Sequence, residues 1–274
     1  EFGVLRRSSL VTSDVTLAAL RPVMEPVASR AEAESRGESM RRRIKSLLDS
    51  GAFDYVEPDY IVSVQQSVPS DAAFVDGRQW ALRNTGQNGG ISGADIDVVR
   101  AWGLTSGAPE VIVAIIDSGV RYTHADLAGQ MWRNPGESGP LASNGIDDDR
   151  DGVVDNVFGL NAQQGNGDPL DEHGHGTFCA GIIAAQVDGG GPAVGVAPKV
   201  RIMACRFLDA QGTGASSDAI KCIGFAVAKG ARILSNSWGG GGFDQGLLDA
   251  INAGGDAGIL FVAAAGNSTA NNDA

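Results

Sequence analysis

Four short, continuous apolar runs, at residues 111–116, 200–207, 232–237 and 259–264, most tightly constrain what this chain can fold into. Runs of that length without polar alternation predict strands buried on both faces. The stretches between them, at 176–186, 216–229 and 245–253, read as helices. Strand–helix–strand alternation implies an α/β fold: a parallel sheet with helices on both faces, three layers in all. In such sheets functional groups gather at the carboxyl ends of the strands. Hydrophobic residues make up 43% of the 274 positions, enough to bury a sizeable core. No apolar run is long enough to cross a bilayer, so no membrane association is expected. The net charge of −12 repels phosphate backbones, which argues against nucleic acid and for cations as partners.

Charge divides the chain near residue 66. Before it stand 9 basic and 10 acidic residues; after it, 12 and 23, so almost all of the net charge belongs to the second part. Residues 31–49 predict a helix with Ile44, Leu47 and Leu48 on one face, stopped by Gly51. Residues 53–64 read as one or two extended strands. Residues 65–110 read as a linker with surface loops, because Pro, Gly, Ser and Asn cluster there. Glu1 and Phe2 match a common cloning junction and are set aside. No secretory leader is visible. The run Asn271, Asn272, Asp273, Ala274 follows a strand without a closing helix and reads as an interruption.

Three segments carry groups suited to chemistry. Asp117 closes the first apolar run and precedes Ser118 and Gly119; a carboxylate there can orient a histidine or cap a turn. The segment from Asp171 to Gly181 holds two of the three histidines, His173 and His175, at the glycine-rich entrance of a helix. Histidine is the side chain best matched to proton transfer near neutral pH. Asn267 follows Gly266 at the end of the last run, where its amide can donate to a developing oxyanion. In the acidic stretch, Asp147, Asp149, Asp151 and Asp155 surround Gly152, with Val153 offering a carbonyl. Hard oxygen ligands at that spacing suit Ca²⁺ and match the first half of an EF-hand loop, although the bidentate glutamate register falls on Phe158. Cys205 and Cys222 lie 17 residues apart, a separation that lets a helix fold back over its strand. A disulfide between them and two buried, unlinked thiols both satisfy it.

Taken together, VIVAIIDSGV, GHGTFCAGIIAA, GVAPKVRIMACRFLD, ILSNSWGG and LFVAAAGN resemble blocks of the subtilisin-like serine proteases, and these blocks span most of residues 80–267. The resemblance implies that Asp117 orients the histidine, His175 is the general base and Asn267 is the oxyanion donor. His175 is chosen over His173 because it alone begins a His-Gly-Thr block. Ser237, Trp238 and Gly239 would pair with an extended peptide, with Gly212, Thr213 and Gly214 forming the opposite rim. The family's nucleophile lies in a Gly-Thr-Ser-Met-Ala block, and no such block occurs in this sequence. The resemblance therefore implies the N-terminal part of a catalytic domain (67–274) that is incomplete or inactive alone. Residues 1–66 resemble the end of a propeptide that inhibits its own enzyme, with maturation between Val64 and Asp71. The implied protein is a secreted, calcium-binding endopeptidase acting on polypeptides. Alternatives are a non-catalytic product that binds peptide, Ca²⁺, a C-terminal fragment or its own copies, and an esterase with altered chemistry.

Overall fold

A computed structural model describes residues 5–7, 30–51, 53–56 and 69–267. Glu1 and Phe2, the expected strand beyond Val56, residues 64–68 of the expected maturation interval and Asn271 to Ala274 lie outside them. The chain divides into two compact units, 1–64 and 65–274. In the first, β1 (Leu5–Arg7) pairs antiparallel with β2 (Phe53–Val56), and α1 (Arg30–Asp49) lies between them in sequence. Gly51 ends the helical segment as expected: its φ of 66° is left-handed, and its N–H donates to the Leu48 carbonyl at 3.0 Å.

The second unit is built on a parallel sheet that, among the described residues, has five strands in the order β4-β5-β3-β6-β7. These are β3 (Ile112–Asp117), β4 (Gly159–Asn161), β5 (Arg201–Arg206), β6 (Ile233–Asn236) and β7 (Leu260–Ala263). Three of the helices are α4 (His175–Ala184), α5 (Ser216–Ala228) and α6 (Gln245–Asp256). Alternate residues of β3 and β5 point to opposite faces, as the two-residue period of a strand requires. Ala114, Ile116, Met203 and Cys205 join Cys222, Ile223 and Ala226 of α5 in one core. Val113, Ile115, Ile202 and Ala204 join Ala180 and Ala184 of α4 in the other. The α/β reading and the parallel sheet therefore hold.

Two expectations change, and one strand of the sheet is an addition to them. The run at 259–264 is not buried on both faces: Ile259 is covered, but Leu260 and Val262 are 60% and 47% exposed. Phe261 packs with α5 and α6, whereas α4 lies over β3 and β5. No described residue buries the other face of β7. Residues 69–110 are also more than a linker. They form α2 (Ala72–Val75) and α3 (Val98–Trp102), and Phe74, Leu82 and Val98 bury a small core against Val194. Gln79 exchanges two hydrogen bonds with the Val194 backbone, at 2.8 and 3.1 Å. Finally, β4 was not foreseen. Three residues between turns carry too little periodicity to announce a strand.

Candidate active site

Asp117 is the last residue of β3, where the strand order turns: β5 lies on one side and β6 on the other. Connections leaving such a strand and its neighbours diverge to opposite faces and open a crevice at the carboxyl end. The strand end is locked, since the Asp117 carbonyl accepts the Phe207 N–H at 2.9 Å. The Asp117 side chain is buried and accepts the Ser118 N–H at 2.7 Å.

His175 opens α4 and places Nδ1 2.8 and 3.0 Å from the two Asp117 carboxylate oxygens. An ionised carboxylate can only accept, so the proton sits on Nδ1 and the Nε2 lone pair is left to take another. The environments of the pair differ in a useful way. The Asp117 side chain is 1% exposed and the imidazole 41%, so the orienting charge is sealed while the ring stays reachable.

Two glycines make this approach possible. A Cβ on Gly176 would lie 2.1 Å from the Gly119 carbonyl oxygen, so any side chain there would push α4 off the strand tip. Gly119 itself has φ +101°, and a Cβ on it would lie 2.3 Å from the Pro169 carbonyl oxygen.

A further carboxylate organises the loop and was not singled out from the sequence. Asp171 is buried and accepts the N–H groups of His173, Gly174 and Thr177 at 2.8–2.9 Å, together with the Ser118 hydroxyl at 2.9 Å. Burial works against its charge, but the Thr177 hydroxyl, the N–H groups of Gly174 and Thr177 and the Ser118 hydroxyl prevail and hold its pKa below the usual 3.8. Ser118 also accepts the Gly176 N–H at 3.0 Å, which links the two loops through one hydroxyl. The flanking Glu172 pairs with buried Arg206 at 2.6 Å, and Arg206 also holds the Leu170 carbonyl at 2.8 Å. The available sequence signal was an Asp just before a glycine-rich helix entrance, the residue type that caps such turns.

The remaining residues fall at the same end of the sheet. Ser237, Trp238 and Gly239 follow β6, and Trp238 packs edge-on against Phe207 with ring centroids 4.9 Å apart. Gly212, Thr213 and Gly214 form a turn after β5, held by Asp209, which accepts the Thr213 N–H at 2.9 Å. This turn meets His173, whose Nε2 lies 3.2 Å from where a Gly212 Cβ would be. Asn267 is exposed just past β7, two strands and roughly 10 Å across the sheet from β3.

All three cysteines are free. Of the two arrangements left open by the spacing, the structure contains the unlinked one: Cys205 and Cys222 are buried thiols, with Cys205 Sγ 3.9 Å from the Cys222 carbonyl oxygen. Burial pushes the Cys222 thiol well up, and the neighbouring Cys205 adds to this. Burial also raises the half-buried Cys179 thiol, with the Ser237 hydroxyl opposing and Asp117 and Asp171 reinforcing the shift. Cys179 is thus held as a thiol, a weak nucleophile.

The acidic loop lies apart from this crevice. Glu137, Asp147 and Asp149 bring carboxylate oxygens within 4.8 Å of one another. Glu137 is fully buried: Oε1 accepts the Asp148 N–H at 2.6 Å, while Oε2 has no hydrogen-bond partner. The other expected ligands lie outside this triad and make contacts of their own. Asp155 accepts the N–H groups of Asn144 and Gly145 at 3.0 Å, and Asp151 pairs with Lys229 at 2.8 Å. Val153 donates its own N–H to Asp151 at 2.8 Å. Glu137 was missed because it precedes the acidic run by ten positions and only the fold brings it in.

Comparison with known proteins agrees with these features. A family model described as the subtilase family matches residues 108–274. The thermophilic serine proteinase of Bacillus sp. (strain AK1) is 32% identical over 225 residues, covering 82% of this chain and 47% of that protein. Thermitase of Thermoactinomyces vulgaris is 34% identical over 173 residues, or 63% and 53% of the two chains. Subtilisin-like protease 1 of Plasmodium berghei is 32% identical over 178 residues, or 65% and 29%. The chain therefore spans about half or less of the length of these relatives. With the family model covering more than half of its residues, the chain belongs to the subtilase family.

Proposed function

We propose that the polypeptide carrying this chain is a subtilisin-type serine endopeptidase acting on extended polypeptides. The observation that carries this reading is the 2.8 Å contact between His175 Nδ1 and the sealed Asp117 carboxylate. In this reading His175 Nε2 takes the proton of an attacking serine and later returns it to the leaving amine. Asp117 keeps the ring in the right tautomer and stabilises the imidazolium that forms. The Asn267 amide donates to the oxyanion. Ser237, Trp238 and Gly239 pair with the substrate backbone, opposite Gly212, Thr213 and Gly214. The serine is supplied from outside this chain, because the sequence contains no Gly-Thr-Ser-Met-Ala block.

The decisive experiment extends the polypeptide through its downstream gene sequence and assays peptide hydrolysis. Activity and fluorophosphonate labelling are expected in the extended form, and His175→Ala is expected to abolish hydrolysis. Hydrolysis indifferent to His175→Ala would overturn the reading. Labelling of the present chain by itself would overturn only the location of the serine.

Three finer readings belong with it. Residues 1–66 act as a propeptide that inhibits the enzyme, and residues 67–274 as part of the catalytic domain; N-terminal sequencing of active enzyme tests the boundary. The mature protein works outside the cell, as expected of a protease released by removal of such a segment; fractionation of the producing cells tests this. Ca²⁺ is held in the acidic loop by Glu137, Asp147 and Asp149. The residues fit that ion: all donors are hard oxygens, and the buried Glu137 Oε2 lacks a partner. A bound cation would supply charge neutralisation that keeps the loop folded.

A further inference from the structure

The acidic loop is met by a positive charge from another part of the chain. Lys229 follows α5 as its C-cap residue, 80 positions from Asp149, and its side chain is only 15% exposed. Its ammonium bridges Asp149 Oδ2 and Asp151 Oδ2, the latter at 2.8 Å, and lies 5.7 Å from the centre of the Phe225 ring. Asp149 Oδ2 also accepts from Asn134 Nδ2 at 2.8 Å, and Asn134 is buried. Asp149 thus belongs to two sets at once: the ion pair with Lys229, and the carboxylate cluster with Glu137 and Asp147.

The lysine does not satisfy the cluster. Its contacts fall on Asp149 and Asp151, and Glu137 Oε2 stays buried without a donor. A buried carboxylate with an unpartnered oxygen, clustered with two further carboxylates, is costly until a cation reaches it. A divalent ion placed there would meet the Lys229 ammonium across the shared Asp149, and two positive centres would compete for one carboxylate.

We infer that Lys229 is a resident competitor for the loop's cation: it holds the loop to α5 when metal is absent and lowers the affinity for Ca²⁺ when metal arrives. The inference rests on the calcium reading above and assigns a role in it to a residue outside the acidic run.

The test measures Ca²⁺ binding to the whole chain by calorimetry, with thermal unfolding in Ca²⁺ and in chelator as a second readout. Lys229→Met is expected to bind Ca²⁺ about tenfold more tightly than the unsubstituted chain, because the repulsion is gone. In chelator the same variant is expected to melt lower, and Ca²⁺ should raise its midpoint by more than it raises that of the unsubstituted chain. Lys229→Arg keeps the charge and is expected to stay within about twofold. Unchanged or weaker binding in Lys229→Met would overturn the inference and leave the calcium reading standing. Tightening by Lys229→Arg equal to that by Lys229→Met would also overturn it, since shape and not charge would be responsible. Absence of Ca²⁺ binding in the unsubstituted chain would overturn both readings. Should Lys229→Met fail to fold in chelator, recovery on adding Ca²⁺ supports the inference, and failure in both conditions overturns it.

Discussion

The two halves of the sheet are built from similar sequence but finished differently. β3 and β5 bury Ile115, Ile116, Ile202 and Met203 completely, with α5 on one face and α4 on the other. β6 and β7 share the α5 and α6 layer, yet Leu260 and Val262 on β7 remain largely in solvent. The finished half ends in Asp117 and His175, whose geometry is fixed by sealed contacts. The bare half leads to Asn267, which is exposed. Pre-organisation follows coverage: the part of the crevice with two helical layers beneath it is the part whose side chains are already in position.

The largest expected effect belongs to the finished half. In the extended, serine-bearing polypeptide, Asp117→Asn should lower kcat by about 10⁴-fold, because an amide favours the wrong imidazole tautomer. Measuring kcat and KM separately sharpens the point, since an orienting role should leave KM nearly unchanged. A loss confined to KM would assign Asp117 to substrate binding instead.

The next contrast is energetic. Ile115→Ala empties a site covered on both faces and should cost about 3 kcal/mol of unfolding free energy, within the usual range of about 2–5 for such truncations. Val262→Ala removes a half-exposed side chain and should cost below about 1 kcal/mol. Urea unfolding of both variants checks this. Equal losses would mean that the β7 face is buried in solution after all.

Burial of that kind has an obvious source. An apolar strand face without a covering layer is a template for association. Phe178 and Ile182 on α4, 67% and 51% exposed, add apolar surface of their own. The isolated chain is therefore expected to self-associate in sedimentation, and Val262→Lys should shift it toward monomer without lowering the monomer's stability by more than about 1 kcal/mol. A concentration-independent monomer in the unsubstituted chain would break the link between bare surface and association.

How much of this was legible in the sequence depended on how local each cause is. The four apolar strands β3, β5, β6 and β7 and the helices α1, α4, α5 and α6 were readable, because apolar periodicity and glycine punctuation are local signals, whereas the pairing of Asp117 with His175 came from the family resemblance of their blocks. Gly176 and Gly119 reflect close approach that only a missing Cβ permits, and both stood beside the residues they serve. The state of β7 was not readable. Its residues are as apolar as those of β3, and burial depends on a layer that no single segment announces. Asp171, Glu137 and Lys229 were missed for a related reason: each is a charged residue whose meaning comes from a partner distant in sequence or from a buried loop backbone.

The smallest effect is set by pH, and it compares one carboxylate from the crevice with one from the acidic loop. Asp171 and Asp149 are both held below the ordinary carboxylate value of 3.8. In each case burial opposes the charge, and hydrogen bonds overcome it: from Thr177, Gly174 and Ser118 for Asp171, and from Lys229 and Asn134 for Asp149. A carboxylate with a depressed folded-state pKa stabilises the fold above its unfolded pKa, and that contribution is lost as pH falls through the folded value. The thermal midpoint should therefore be insensitive to these two groups near neutrality and decline below about pH 4, where the unfolded chain begins to bind their protons. Asp171→Asn should lower the midpoint at neutral pH and make the acid decline shallower, because one proton-linked contribution is gone. Asp149→Asn should do the same, and added Ca²⁺ should protect the unsubstituted chain against acid but not this variant. If Asp171→Asn left the acid decline as steep as before, the carboxylate's charge would not be what holds the His175 loop, and its hydrogen-bonding shape alone would account for the order seen there.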